Sequence, residues 1–279
     1  MDKGVLYIVA MPIGNRADIT DRAKEVLAAV DCIAVEDTRH SRPLLKSLGI
    51  TTPLMAVHEH NETKLVARLI ERLQAGESLA LISDAGTPLI SDPGFPLVRA
   101  CQQAGVRVSP VPGPSAAICA LSAAGLPTDR FLFEGFPART SSARCEQFDR
   151  LKSEAMTLIF YESSHRIAES LADMAKVFGG DRHAVIAREL TKLHETILSQ
   201  PLDQLCQVLA EDSNQRRGEF VVLIAGAVRD SDAIDPETQR ILEILLEEMP
   251  TKKAAAIASK ITGIKKNRLY PFALTLKVE

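Results

Sequence analysis

The stretch LALISDAGTPLISDPG, residues 79–94, decides the fold class of this chain. Its first four residues, Leu79 to Ile82, are all apolar, which is typical of a strand buried on both faces of a parallel sheet. The residues that follow, Ser83 to Gly94, are mostly small, acidic or turn-forming. A loop of this length exceeds what a simple connection needs, and long loops in compact domains are usually binding loops. We therefore interpret the stretch as a central strand followed by a functional loop.

Strands and helices are predicted to alternate on both sides of this stretch. Short apolar runs predict further strands at 6–10, 32–35 and 106–111. Apolar residues at helical spacing predict helices at 20–30, 63–73, 98–103 and 114–122. This alternation predicts an α/β fold with a mainly parallel sheet.

A second α/β segment is predicted beyond residues 136–147, which are small, polar and basic and which we interpret as a linker or exposed loop. Strands are predicted at 157–161, 183–188 and 220–225, and helices at 167–178 and 202–209. Adjacent strands are more frequent here, which favours mixed or antiparallel pairing. From residue 235 onwards only helices are predicted, at 237–249, 252–261 and 265–269.

The composition excludes several classes of protein. Of the 279 residues, 46% are hydrophobic and 25% charged, which excludes a mostly disordered chain and favours more than one domain. No apolar run reaches the roughly 18 residues of a membrane span, and no signal peptide is evident, so we expect a cytoplasmic protein that does not contact a membrane. The five cysteines lack CxxC spacing, which favours reduced thiols and no metal site.

The C-terminal segment carries a basic charge that the net charge of −3 conceals. Residues 251–279 hold seven Lys and Arg residues and one acid, a net charge of +6, which leaves −9 on the remaining residues. Two helices separated by Gly263 have helix-turn-helix-like spacing. We expect this segment to contact RNA phosphates, or alternatively to be a small packing domain with a solubilising surface. The candidate RNA-binding residues here are Lys252, Lys253, Lys265, Lys266 and Arg268.

Two common nucleotide-binding motifs are missing from the sequence. It contains neither GxGxxG with an acid about 20 residues further on, nor GxxxxGK[ST]. Dehydrogenases of the Rossmann type and P-loop nucleotidases are therefore disfavoured.

Eight segments occur in an order that resembles one family. They are PIGNRADIT at 12–20, VEDTRHS at 35–41, SDAGTPLISDPG at 83–94, VPGPSA at 111–116, FEGFP at 133–137, YESSHR at 161–166, ARELTKLHE at 187–195 and RRGEFVVLI at 216–224. Together they resemble the tetrapyrrole (corrin/porphyrin) methyltransferase superfamily. The resemblance is closest to its ribosomal branch, the bacterial 16S rRNA cytidine 2′-O-ribose methyltransferases, and it extends over essentially the whole chain.

This resemblance implies a fold, a cofactor and partners. It implies two α/β domains with a cleft between them, at residues 1–125 and 126–230, and a basic helical C-terminal domain at 231–279. S-adenosylmethionine would bind in the cleft, the protein would form a homodimer, and the substrate would be 16S rRNA or the small ribosomal subunit. The implied cofactor-binding residues are Pro12, Asp84, Ala85, Gly86, Thr87, Ser115, Ala116, Tyr161, Leu190 and Gly218.

Methylation of a ribose hydroxyl requires that the hydroxyl be positioned and lose its proton, and a general base contributes roughly 10²–10⁴-fold to the rate. Asp37 and Glu162 follow or end predicted strands in different halves of the chain, so we predict that they are catalytic and face each other across the cleft. The adjacent Arg39 and Arg166 would hold RNA phosphates. Lys192 would lower the pKa of the hydroxyl or bind RNA. The alternative is that both acidic segments only cap helices.

Two other functions remain open at this stage. One is a methylase that acts on a small tetrapyrrole, although the lysine-rich C-terminal segment disfavours it. The other is a non-catalytic RNA- or ribosome-binding protein, which the intact SDAGTP and PGPSA loops disfavour.

Overall fold

A computed structural model describes residues 4–57, 62–228, 234 and 236–276 of the chain. The chain divides into two compact units, a larger one that ends at Ala227 and a smaller one that begins at Val228. The larger unit contains two five-stranded sheets, and the smaller one is helical in its described part.

The first sheet is entirely parallel. Its strands are Val5–Val9 (β1), Cys32–Val35 (β2), Leu54–Ala56 (β3), Leu79–Leu81 (β4) and Arg107–Val111 (β5). Their order in the sheet is β3-β2-β4-β1-β5, so the predicted central strand β4 lies between β2 and β1. In this sheet Ile8 of β1 pairs with Leu81 on one side and with Pro110 on the other.

Helices cover both faces of this sheet, as a doubly buried parallel sheet requires. They are Asp21–Ala29 (α1), Thr38–Ser47 (α2), Glu62–Gln74 (α3) and Phe95–Gln103 (α4), and a 3-10 turn precedes α1 at Arg16–Asp18. A fifth helix, Ala116–Ala123 (α5), follows β5 and packs against the second sheet. On one face Val26 and Leu27 of α1 pack against β1 and β2. On the other face Leu69 of α3 and Leu97 of α4 pack against β4.

The second sheet has mixed pairing, which confirms the prediction for this segment. Its strands are Phe131–Gly135 (β6), Thr157–Ser163 (β7), His183–Arg188 (β8), Thr196–Pro201 (β9) and Glu219–Ile224 (β10). The order is β6-β7-β10-β8-β9, in which only β6 and β7 are parallel neighbours. The helices Ser141–Leu151 (α6), Ile167–Phe178 (α7) and Leu202–Glu211 (α8) supply the other elements of this segment, with a 3-10 turn at Ser213–Arg216.

Helix α5 joins the two sheets into one unit. Its Ala117, Ala120 and Leu121 pack in one buried cluster with Ile159 of β7 and Val221 of β10. The opposite face of the second sheet packs against α7 and α8. The sequence of α5 is apolar nearly all round, yet its outer face is not covered, since Ile118 is 51% exposed.

Four elements of the structure depart from the sequence-based prediction. The predicted linker at 136–147 was wrong, because helix α6 begins at Ser141. Its buried Arg144 pairs with Asp173 of α7 at 2.5 Å. Because a charged residue occupies an interior position of α6, the apolar residues of this helix do not show helical spacing. Helix α2 contains Pro43 and few apolar residues, and the sequence indicated it only through the alternative that Asp37 caps a helix. Strands β3 and β6 are only partly buried and were also missed.

The smaller unit contains the helices Pro236–Glu248 (α9), Thr251–Thr262 (α10) and Lys266–Thr275 (α11). The bounds of α9 and α10 are close to those predicted, whereas α11 extends six residues beyond its predicted end at residue 269. Leu242, Ala255 and Leu269 contribute one side chain each to its core. Helix α10 ends at Gly263, whose φ of +76° is the left-handed conformation that favours glycine at this position. None of the described helices is long and apolar enough to span a membrane.

Candidate active site

A cavity of about 450 Å³ lies between loops of the first sheet and residues of the central strands β7, β10 and β8 of the second. Nine of the ten predicted cofactor-binding residues line it: Asp84, Ala85, Gly86, Thr87, Ser115, Ala116, Tyr161, Leu190 and Gly218. Pro12 does not line the cavity, but its neighbour Ile13 does. The structure therefore brings the predicted set together, while the role of each residue stays a prediction.

The floor of the cavity is made by loops that follow three adjacent parallel strands, β4, β1 and β5. Met11 N donates to Gly86 O at 2.8 Å and Gly86 N donates to Met11 O at 3.1 Å, which joins the first two loops. The hydroxyl of Thr87 donates to Pro114 O at 2.9 Å and joins the third. Gly86 has φ +74°, so this position favours a residue without a Cβ.

Tyr161 connects the second sheet to the helix α5. Its hydroxyl oxygen accepts a hydrogen bond from Ala117 N at 3.2 Å, one of the backbone N–H groups that a helix N-terminus leaves without an intrahelical partner. Burial raises the pKa of Tyr161, so the phenol stays protonated at neutral pH. Phe133 and Phe136 pack edge-on against the ring and fix its orientation.

Acidic side chains gather on the first-sheet side of the cavity. Burial, with smaller contributions from the charges of Glu36 and Asp84, raises the pKa of Asp92 to about 6, while a hydrogen bond from Ser83 opposes the rise. Asp84 Oδ2 lies 3.1 Å from Nδ1 of His40. Asp92 belongs to the stretch that decides the fold, yet the sequence offered no reason to single it out, because its raised pKa depends on groups brought together by the fold.

Asp37 caps helix α2, which is the alternative that the sequence left open. Its carboxylate accepts from Arg39 N at 2.8 Å and pairs with Nη2 of the same arginine at 2.6 Å. These contacts hold the pKa of Asp37 well below its usual range. Asp37 is not one of the described residues that line the cavity. Its predicted catalytic role, and the predicted RNA contact of Arg39, therefore stay predictions without support from this geometry.

Glu162 does line the cavity, and its side chain is fully buried. One carboxylate oxygen, Oε1, accepts from Ser163 N at 2.8 Å and pairs with Nη2 of Arg166 at 2.9 Å. The same arginine donates to Pro137 O at 3.1 Å, so it fixes the acid and the segment after β6 together. The other oxygen, Oε2, is buried and has no hydrogen-bond partner in the described part of the chain. A buried oxygen of this kind is an acceptor available to a ligand.

Lys192 lies in the loop after β8 and is held by two acids. Its Nζ lies 2.8 Å from Oε1 of Glu189 and 2.8 Å from Oε2 of Glu219. The neighbouring Thr191 hydroxyl accepts from Asn15 N at 3.1 Å, which ties this loop to the loop after β1. Lys192 therefore stabilises the rim of the cavity, and its contact with RNA stays a prediction.

Comparison with known families assigns the fold and the cavity to one class of protein. Residues 5–206 match the tetrapyrrole (corrin/porphyrin) methylases, and residues 232–277 match the RsmI C-terminal HTH domain. The chain belongs to the tetrapyrrole methylase family. It is a methyltransferase, and its methyl donor is S-adenosylmethionine.

Two curated relatives are similar over nearly the whole chain. Ribosomal RNA small subunit methyltransferase I of Pseudomonas aeruginosa is 57% identical and covers 98% of both chains. The protein of the same name from Escherichia coli O157:H7 is 52% identical and covers 98% of this chain and 95% of the relative.

Solved structures resemble the chain in fold alone. Diphthine synthase aligns with a TM-score of 0.59 and 16% identity over 79% of this chain and 90% of its own. The uroporphyrin-III-C-methyltransferase from Thermus thermophilus aligns with a TM-score of 0.55 and 20% identity over 80% of this chain and 94% of its own.

The residues around the cavity fit S-adenosylmethionine. The volume lies within the range of small-molecule sites, and apolar side chains such as Ile13 and Phe220 form walls for an adenosine group. The carboxylates of Asp84 and Asp92 complement a sulfonium and an ammonium group, both of which are positively charged. The unpaired Oε2 of Glu162 offers an acceptor to a hydroxyl or amine.

Proposed function

We propose that this chain methylates the ribose 2′-hydroxyl of a cytidine in the 16S rRNA of the small ribosomal subunit. The observation that carries the proposal is the similarity to Ribosomal RNA small subunit methyltransferase I over 98% of both chains, which includes the basic helices α10 and α11 as well as the cavity. The choice of a ribose hydroxyl on a cytidine rests on the order of motifs along the chain.

We propose that Asp92 accepts the proton of the ribose hydroxyl. When bound, S-adenosylmethionine supplies an electrophilic methyl group on a positively charged sulfur. Asp92 lines the same cavity as the predicted cofactor-binding residues. Its pKa of about 6 makes it a stronger base than an ordinary aspartate, and it is still ionised at neutral pH. Glu162 and Asp37 remain the acids predicted from sequence, but Arg166 and Arg39 respectively hold them in ion pairs.

The proposed RNA-binding residues divide into two groups. In the larger unit they are Arg39, Arg166 and Lys192, each of which also makes an intramolecular ion pair. In the smaller unit Lys252, Lys253, Lys265 and Lys266 are exposed, and Arg268 is half-buried. The exposed lysines support contact with RNA phosphates, because solvated cations on one short segment attract a polyanion.

We also propose a homodimer, a cytoplasmic location and domain boundaries at residues 125 and 230. The first two follow from the family resemblance and from the proposed ribosomal substrate, and the five described cysteines are free thiols. The boundaries are supported by the two sheets, which occupy separate stretches of chain, from Val5 to Val111 and from Phe131 to Ile224.

Mass spectrometry of nucleosides from 16S rRNA tests the proposed function. Cells that lack the gene are expected to lose one 2′-O-methylcytidine, and the purified protein is expected to restore it on their small subunits with S-adenosylmethionine. Methyl transfer to a tetrapyrrole in place of the rRNA would assign the chain to the small-molecule methylases. Binding to the small subunit without any methyl transfer would make it a non-catalytic ribosome-binding protein.

A further inference from the structure

A second cavity, of about 460 Å³, lies beside the second sheet. Its lining residues are Arg188, Glu189, His194, Asn214, Gln215, Arg217 and Gly218. Gly218 lines both this cavity and the one that fits the cofactor, so the two adjoin. We propose that this second cavity binds a phosphodiester of the RNA substrate next to the nucleotide that is methylated, an inference that rests on the proposed function.

Arg188 makes this cavity a built site. Its Nε donates to Arg217 O at 2.7 Å, and its Nη1 donates to His194 O and to the hydroxyl of Thr196, both at 3.0 Å. These bonds tie the segments on either side of the cavity together and fix the plane of the guanidinium. Its Nη2 makes no hydrogen bond to any residue that the structure describes. A fixed guanidinium with a free nitrogen is well suited to an oxyanion.

One acid, Glu189, also lines the cavity, and its charge acts on Arg188 as well as on Lys192, so the positive charge of the cavity is only partly offset. Glu189 and Glu219 both pair with Lys192 at 2.8 Å, and Glu189 also accepts from Glu219 N at 3.0 Å. Arg217 is exposed and has no ion-pair partner among the described residues. Nη2 of Arg188 and the side chain of Arg217 are thus left for a ligand, and a phosphodiester offers two oxygens that share one negative charge.

A buried acceptor distinguishes a nucleotide from a simple anion. Oε1 of Gln215 is buried and has no hydrogen-bond partner in the part of the chain that the structure describes. An inorganic anion carries no donor for it, whereas a nucleotide carries ribose hydroxyls and base amino groups. Because Gln215 lines the cavity, a small rotation of its side chain would bring this acceptor to the sugar or base of a bound nucleotide.

The position beside the cofactor cavity suits the reaction. In RNA the 3′-phosphate is attached to the carbon next to the one that carries the 2′-hydroxyl. Fixing that phosphate in the second cavity would hold the hydroxyl at the boundary marked by Gly218, facing the methyl donor. Such positioning removes orientational freedom that the chemical step would otherwise have to overcome.

Binding of unmethylated small ribosomal subunits, measured at several salt concentrations, tests the site in the full-length protein. Because Arg217 is exposed, Arg217→Ala is expected to fold normally. It should weaken subunit binding about tenfold and reduce the slope of log K against log salt by about 0.7–0.9. Affinity for S-adenosylmethionine, measured by calorimetry, should not change. Arg217→Lys should retain the slope, since it preserves the charge.

Arg150→Ala is the matched control for this measurement. Arg150 is 72% exposed near the end of α6 and lines neither cavity. The control should bind like the wild type. If Arg217→Ala also binds like the wild type, with an unchanged salt slope, the second cavity is not a phosphate site. If the wild type itself transfers no methyl group to small-subunit rRNA, the proposed function fails, and this site fails with it.

Discussion

The two sheets of the larger unit contribute to the cofactor cavity in different ways. In the parallel first sheet all strands have their carboxyl ends on the same side of the sheet. The loops after β1, β4 and β5 therefore converge there and form the floor of the cavity. In the mixed second sheet β10 runs opposite to both β7 and β8. The end of β7 at Ser163 therefore pairs with the start of β10 at Glu219, and the cavity is lined by both.

This difference separates the chemistry of the two sides. Long loops after parallel strands can hold several acids, and Asp84 and Asp92 both come from the loop after β4. The second sheet instead fixes the acids Glu162 and Glu189 in ion pairs, with Arg166 and Lys192 respectively. We infer that the first sheet supplies the groups that react with ligands, and that the second supplies a rigid wall and a binding surface.

Asp92→Asn tests whether the reacting acid belongs to the first sheet, and it carries the largest expected effect. Loss of the proton acceptor should slow methyl transfer by about 10²-fold or more at saturating RNA. The wild-type rate should rise as the pH increases through about 6, where Asp92 loses its proton, and the variant should lack that rise. Single-turnover methyl transfer between pH 5 and pH 8, about the range over which the group titrates, measures both. A full rate in the variant would exclude Asp92.

The same substitution should stabilise the fold at neutral pH. The folded-state pKa of Asp92, about 6, exceeds the ordinary value of 3.8, so the folded protein binds the proton more tightly than the unfolded chain. The wild type therefore loses stability as the pH rises between these two values, and the Asn variant does not. At pH 7 the variant should melt roughly 2 °C higher, since solvent screening reduces the effect of a partly exposed acid. Asp149→Asn, at an exposed position on α6, should show no such difference.

Gly218→Ala is the strongest test of the second sheet. Gly218 has φ +99°, and a Cβ there would lie 2.5 Å from the side chain of Glu189. The Glu189 carboxylate would have to move and would lose its hydrogen bonds from Lys192 Nζ and Glu219 N. The free energy of unfolding should fall by about 2 kcal/mol and the affinity for S-adenosylmethionine by more than tenfold. Urea denaturation and calorimetry measure the two. Wild-type values for both would mean that this wall is adaptable and not rigid.

The sequence predicted the first sheet and its side of the site better than the second. Unbroken apolar strands such as β4 and the loop that follows them carry their own signal, so the sequence alone was enough to assign Asp84 to Thr87 to a binding loop. The start of β10 could be placed only in part, because its position beside Ser163 depends on the antiparallel register, which the sequence does not state. Gly218 was identified by family resemblance and not by its pattern.

Residues whose role depends on a partner were the ones that sequence reasoning missed. Arg144 is buried because Asp173 on another helix neutralises it, and this hid helix α6. Burial and the charge of Glu36 raise the pKa of Asp92, and Glu36 and Asp92 are far apart in sequence. Arg188 and Arg217 belong to two of the family-like segments, but neither could be assigned a site, since the cavity between them exists only once β8 and β10 are paired.

Gly86→Ala applies the corresponding test to the first sheet, with a smaller expected effect. Gly86 has φ +74°, and a Cβ there would lie 3.4 Å from Ile13 Cγ2, an ordinary contact, so backbone strain of about 1–2 kcal/mol is the main cost. Because the strain acts on the bonds to Met11, affinity for S-adenosylmethionine should fall about tenfold. Gly105→Ala is the matched control, with φ +68° and open space around it. It should lose similar stability and no cofactor affinity; equal losses of affinity in both would contradict the assignment.

Tyr161→Phe tests the link between the two sheets and carries the smallest expected effect. The hydroxyl of Tyr161 accepts from Ala117 N at the start of α5, and its removal leaves that N–H without this acceptor. The free energy of unfolding should fall by about 1 kcal/mol, and cofactor affinity should fall a few-fold because α5 begins beside Ser115 and Ala116. Tyr7→Phe in β1 is the control, since the Tyr7 hydroxyl makes no hydrogen bond to the described residues, and it should leave both unchanged. If Tyr161→Phe behaves like Tyr7→Phe, packing of α5 alone holds the sheets together, and the cavity does not depend on this bond.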